Sequence, residues 1–112
     1  MARVVLTDFD ILEIARRAVE YRRRRAEEYC VRFSEEYIQQ YLPRCREVDG
    51  LNRFSKGDFI HAYYEWRNMT GKFIKFETLF RRLRKLAELG EVIRYVDKRR
   101  GIYEITQDEG VL

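Results

Sequence analysis

The stretch from Phe76 to Thr106 limits the chain to a small set of folds. At about 100° per residue, Phe76, Leu79, Phe80, Leu83, Leu86 and Ala87 fall within roughly one third of a helical circumference. Glu77, Thr78, Arg81 and Lys85 face the other way, with Arg82 and Arg84 on the flanks. Residues 76–89 therefore read as an amphipathic helix with an oily stripe and a cationic back, and Gly90 stands where such a helix ends. Two β-branched and aromatic runs follow, Val92–Val96 and Ile102–Thr106, which read as strands. Between them Asp97-Lys98-Arg99-Arg100-Gly101 forms a tight turn carrying three cations.

The segments upstream are helical. Ser55-Lys56-Gly57-Asp58 is a capping box, in which a hydroxyl and an acid three residues on satisfy free amides at a helix start. Ile60, Tyr63, Tyr64 and Trp66 are expected to supply the buried stripe of that helix. Thr70-Gly71 stops it, Lys72–Lys75 is a short turn, and Arg53-Phe54 is a candidate for a very short strand. Near the N-terminus, Thr7 followed by Asp8 and Asp10 marks another helix start. Ile11, Ile14, Ala15, Ala18 and Val19 repeat at helical spacing into Arg22–Arg25. Four successive arginines spread around a whole helix and form no single narrow contact face. They read as a solvated helix or a junction, offset by Glu20, Glu27 and Glu28, rather than as a DNA contact. Ala26, Cys30, Phe33, Tyr37 and Tyr41 form a second helical pattern, ended by Pro43. Arg44–Asn52 reads as a loop with a turn at Asp49-Gly50. The expected division is an N-terminal helical extension over 1–25, a domain over 26–106 and a patternless tail over 107–112.

Composition narrows the function. With 112 residues, 46% hydrophobic and 14% aromatic, the chain has material for one compact core and is unlike a disordered segment. The apolar runs are too short for a membrane-spanning helix. The first residues show no long apolar core of a secretory signal, so the expected location is cytoplasmic, or the host cell interior for a viral protein. The formal net charge is +4, unevenly spread. Lys72 to Arg100 holds ten basic and four acidic residues, whereas the remaining 83 hold 13 basic and 15 acidic. A basic segment on a near-neutral body suits a polyanion partner. Cys30 and Cys45 are either two reduced thiols or an intrachain disulfide. Zinc wants four ligands, and the lone His61 cannot complete a set with two cysteines, so no metal or cofactor is expected. Neither a Ser-His-Asp nor a Cys-His arrangement can be assembled, and enzymatic activity is not expected.

Helix, short strand, helix, turn, basic amphipathic helix and a hairpin with a basic tip is an order that resembles the winged helix-turn-helix, over residues 26–106. The implied class is α+β, mostly helical: a winged helix-turn-helix with an extra N-terminal helix and a C-terminal β-hairpin wing. Within Phe54–Leu83, Ser55-Lys56, Ala62-Tyr63, Trp66, Gly71 and Phe80 are similar to the C-terminal winged-helix domain of plasmid, phage and poxvirus-type primase-helicases. Arg67 stands where that pattern has Cys, and Ile74 where Pro is common. The family's ATPase is missing from this sequence, which has no Gly-rich Lys-Ser/Thr phosphate loop. The resemblance implies an excised domain or a free-standing relative from a mobile element, holding DNA beside a replication enzyme or regulating transcription.

The physical reading needs no family. A major groove accepts one helix whose outward side chains donate to base edges and phosphates. Arg81 is the best candidate for reading a guanine, with Lys85 one turn on and Thr78 near the penetrating end. Lys72 and Lys75 precede the helix, and they and the flanking Arg82 and Arg84 are candidates for phosphate contacts. Lys98, Arg99 and Arg100 at the hairpin tip suit the adjacent minor groove or its backbone. Glu77 and Glu88 oppose this reading, because acids repel phosphate. The partner expected is double-stranded DNA, with a replication or transcription protein as a second. The rival is a winged helix turned protein-docking module, for which the many tyrosines are suited. A monomer is favoured over a homodimer, with the first helix packed on its own domain.

Overall fold

The computed structural model describes residues 6–31 and 52–106, with side chains over 6–25 and 52–106. It is an α+β arrangement, mostly helical among those residues: α1 (Asp8–Val31), β1 (Arg53–Ser55), α2 (Lys56–Thr70), α3 (Phe76–Leu89), β2 (Ile93–Asp97) and β3 (Ile102–Ile105). The three strands form one antiparallel sheet in the order β1-β3-β2. The choice between reduced thiols and a disulfide at Cys30 and Cys45, the helical pattern beyond Val31, the turn at Asp49-Gly50 and the tail lie outside the described residues.

Local chemistry sets the helix ends. At α1 the Asp10 amide donates to the Thr7 hydroxyl at 3.2 Å and the Thr7 amide to the Asp10 carboxylate at 3.0 Å. The same reciprocal pair opens α2, where the Asp58 amide donates to the Ser55 hydroxyl at 3.2 Å and the Ser55 amide to the Asp58 carboxylate at 2.8 Å. Ser55 is also the last residue of β1, so strand passes into helix without a loop. Gly71 ends α2 with φ of 72°, a left-handed conformation that residues with a Cβ rarely adopt, and its amide donates to the Arg67 carbonyl at 2.8 Å. Gly90 closes α3 in the same way.

The expected boundary at residues 25/26 falls inside α1, which continues to Val31. Nothing in the arginine run breaks a helix, since arginine is a good helix former. Two of the four are spent on α2: Arg22 pairs with Asp58 at 3.6 Å and Arg24 with Glu65 at 3.5 Å. Arg25 lies over the Tyr21 ring, which itself stacks on His61 of α2 at 4.7 Å. Along its first three turns α1 buries Ile11, Leu12, Ile14, Ala15, Ala18 and Val19, and Arg22 continues that face. The N-terminal helix is thus a layer of the core, packed within its own chain.

The buried face of α2 is rotated from the expected one. Phe59, Ala62, Tyr63 and Trp66 are in the core, whereas Ile60 is half-buried and Tyr64 exposed. The face is chosen by its neighbours: the Phe59 ring sits 5.8 Å from Phe54 of β1 and 5.9 Å from Phe80 of α3. In the sheet, Phe54 lies opposite Tyr103, and Tyr103 opposite Tyr95, with ring separations of 5.3 and 5.1 Å. On the outer face Glu104 accepts from its two cross-strand neighbours, Arg53 at 3.1 Å and Arg94 at 2.7 Å. Burial alone would raise the Glu104 carboxyl, but these two guanidinium groups outweigh it and hold it below its ordinary range.

Candidate nucleic-acid interface

The orientation of α3 decides which of its side chains can meet a partner. Leu79 and Leu83 are fully buried, and Leu86 and Ala87 nearly so. Truncating either fully buried leucine would cost about 2–5 kcal/mol, so the helix has little freedom to rotate. Phe76, expected in the same stripe, is 42% exposed, because it sits at the edge against Tyr63 and Tyr64 instead of inside. Glu77, Arg81, Arg84, Lys85 and Glu88 are exposed, and Thr78 is half-buried. Arg81 pairs with Glu77 at 3.3 Å, an open surface i,i+4 bridge that a phosphate or guanine can displace at little cost.

Arg82 is differently placed. Its guanidinium donates to the Leu6 carbonyl at 2.9 Å and to the Asp8 carboxylate at 3.2 Å, so it ties α3 to the start of α1. Both bonds use the same terminal nitrogen, Nη2, and they hold the guanidinium at the junction of α1 and α3. Lys72 is half-buried with its ammonium 5.8 Å from the Trp66 ring centre, and Lys75 is exposed at the start of α3.

The approach to α3 is held from inside. Tyr63, buried in α2, donates its hydroxyl to the Ile74 carbonyl at 2.7 Å and accepts from the Ile74 amide at 2.8 Å. One phenol thus satisfies both backbone groups of a buried residue in the turn. Sequence reasoning placed Tyr63 in the core but had no signal for this bond, which joins residues of different elements.

The hairpin lies beside α3. A bulge between Tyr95 and Asp97 leaves Val96 as the extra residue and bends β2 as it enters the turn. Arg100 is drawn to Asp97: its amide donates to the carboxylate at 3.1 Å and its guanidinium lies 3.7 Å away. Lys98 lies over the Tyr95 ring at 5.4 Å, and Arg99 is exposed. Gly101 is buried with φ of 67°, and a Cβ there would meet the Lys56 side chain at 3.0 Å. Glycine is therefore favoured here, since any other residue would strain the backbone and displace the Lys56 side chain.

Tyr95 joins the helix to the hairpin. Burial raises its phenol above the ordinary value and Glu88 adds to this, while the nearby Arg84 guanidinium opposes it. The Tyr103 phenol beside it is pushed up to about 12, first by burial and then by Tyr95. Arg84 of α3 and Lys98 of the turn thus both neighbour Tyr95. Among the described residues Lys75, Arg84, Lys85, Lys98 and Arg99 have no carboxylate partner within salt-bridge distance. Sequence reasoning also missed an exposed aromatic group, with Tyr64 and Phe73 against Arg67 and Phe76 against Tyr64. In the short turn Ile74 takes the core and Phe73 points outward, a choice that no periodicity signals there.

Comparison of the chain with protein-family models, with curated proteins and with solved structures finds no match.

Proposed function

We propose that this chain binds duplex DNA as a winged helix-turn-helix protein, with α3 in the major groove and the β2–β3 turn as the wing. The carrying observation is the fixed orientation of α3: Leu79, Leu83 and Leu86 take the core side and leave Arg81, Arg84 and Lys85 outward. The sheet order β1-β3-β2, with the hairpin packed beside that helix, supports the same reading. Arg81 reads a guanine, Lys85 and Arg84 flank it, and Lys75 and the turn cations hold phosphates. α3 begins without a side-chain cap, so amides of its first turn are left for an anionic oxygen. The setting proposed is transcription regulation or replication for a mobile element, inside a cell.

Binding through about five unpaired cations releases as many counterions. Duplex affinity should fall with a log–log salt slope of about −4 to −5, roughly 500-fold between about 50 and 200 mM salt. Fluorescence anisotropy with a duplex pool measures this. A flat response, or no binding at low salt, would transfer the fold to the protein-docking reading.

A further inference from the structure

The turn between α2 and α3 carries an aromatic patch that a continuous duplex does not use. Tyr64, Phe73 and Phe76 are 41%, 64% and 42% exposed. The rings of Tyr64 and Phe76 meet edge-on at 5.9 Å. The Arg67 guanidinium lies 5.3 Å from the ring centre of Tyr64 and 5.3 Å from that of Phe73. Contact with two rings fixes its direction, and among the described residues no carboxylate pairs with it.

Charge decides what covers this patch. From Trp66 to Phe76 there are three cations, Arg67, Lys72 and Lys75, and no acid. The nearest acid before them, Glu65, is engaged by Arg24. An apolar protein face laid here would trap uncompensated positive charge, and a second copy would bring three more like charges. A polyanion with flat π faces satisfies both components: phosphate meets guanidinium and ammonium, and a base meets the ring. In continuous duplex the base faces are covered by one another, so an unpaired strand is required.

We propose that Tyr64, Arg67 and Phe73 bind an unpaired nucleotide of single-stranded DNA, its base stacked on Phe73 and its phosphate on Arg67. Because Phe76 opens α3, this site adjoins the groove face, and the preferred ligand is a duplex continued by a single-stranded tail. That preference rests on the duplex reading above, whereas the stacking site does not.

The test is anisotropy on the full chain with a blunt duplex, the same duplex with a short oligothymidine tail, and the oligothymidine alone. The tailed duplex should bind about tenfold tighter than the blunt one. Phe73→Ala should remove that advantage and leave blunt-duplex affinity unchanged, and Phe73→Trp should keep it. Equal affinity for both duplexes, or a tail advantage that survives Phe73→Ala, overturns the proposal. So does a wild-type dimer that Phe73→Ala converts to monomer without any tail effect. Loss of blunt-duplex binding with oligothymidine still bound, and weakened by Phe73→Ala, would refute the duplex reading while the stacking site stands.

Discussion

Replacing Tyr63 by phenylalanine removes one oxygen and keeps the ring, so it isolates the bond that holds the start of α3. The hydroxyl makes two hydrogen bonds to Ile74, at 2.7 and 2.8 Å, and both residues are buried. Each buried hydrogen bond is worth about 1 kcal/mol net, and a buried backbone group left unpaired costs about 1–3 kcal/mol. Two orphaned groups, partly relieved by movement of the turn, give an expected loss of about 2–4 kcal/mol. For a chain of this length that is a fall in Tm of roughly 8–16 °C. Thermal melts and urea titrations followed by circular dichroism measure the loss. Hydrogen exchange at the Ile74 amide reports whether the turn itself has loosened. A Tyr63→Phe variant within about 0.5 kcal/mol of the wild type, with Ile74 exchange unchanged, would refute the claim that this phenol anchors the turn.

Other expectations follow from the same geometry. Arg81→Ala should narrow the gap between preferred and random duplex by about 1–3 kcal/mol in competition binding; equal weakening on all sequences would make Arg81 a phosphate contact. The Lys98→Ala, Arg99→Ala, Arg100→Ala variant should bind every duplex more weakly, and wild-type affinity would remove the hairpin tip from the interface. The Glu104 carboxyl is held below its ordinary value of 4.5, so its stabilisation is complete above that pH and is lost as pH falls through the lowered folded value. Glu104→Gln should thus destabilise the chain at pH 7 and flatten the acid limb of its stability profile; an unchanged acid limb would count against that pairing. Gly101→Ala should destabilise the hairpin by about 1–3 kcal/mol through its positive φ, and a melt matching the wild type would contradict it.

Features encoded in adjacent residues were legible in the sequence. The Ser55–Asp58 capping box, the helix stops at Gly71 and Gly90, and the five-residue turn at 97–101 each depend on a few neighbours in the chain. The stripe of α3 was legible because only one of its faces is oily. In α2 apolar residues surround most of the helix, with Phe59, Ile60, Ala62, Tyr63, Tyr64 and Trp66 all candidates. Periodicity therefore could not choose a face, and the contacts of Phe59 with Phe54 and Phe80 chose it. β2 runs Ile93–Asp97, one residue later at each end than the apolar run Val92–Val96, and the bulge at Val96 has no local signature. Among the candidate site residues, the bonds of Arg82 to Leu6 and Asp8 were not legible, because those partners lie more than seventy positions away in sequence. The arginine run reads from sequence as a solvated helix or a junction because its partners, Asp58 and Glu65, belong to another helix.

The central claim is that the outward side of α3 and the hairpin tip meet one duplex together. A titration of isotopically labelled chain with duplex DNA, followed by amide NMR shifts, tests it most directly. Shifts gathered at residues 75–85 and 98–100, with the α1 amides of Ile11 to Val19 unmoved, are the result expected. Shifts confined to α1, or to the hairpin without α3, would contradict it.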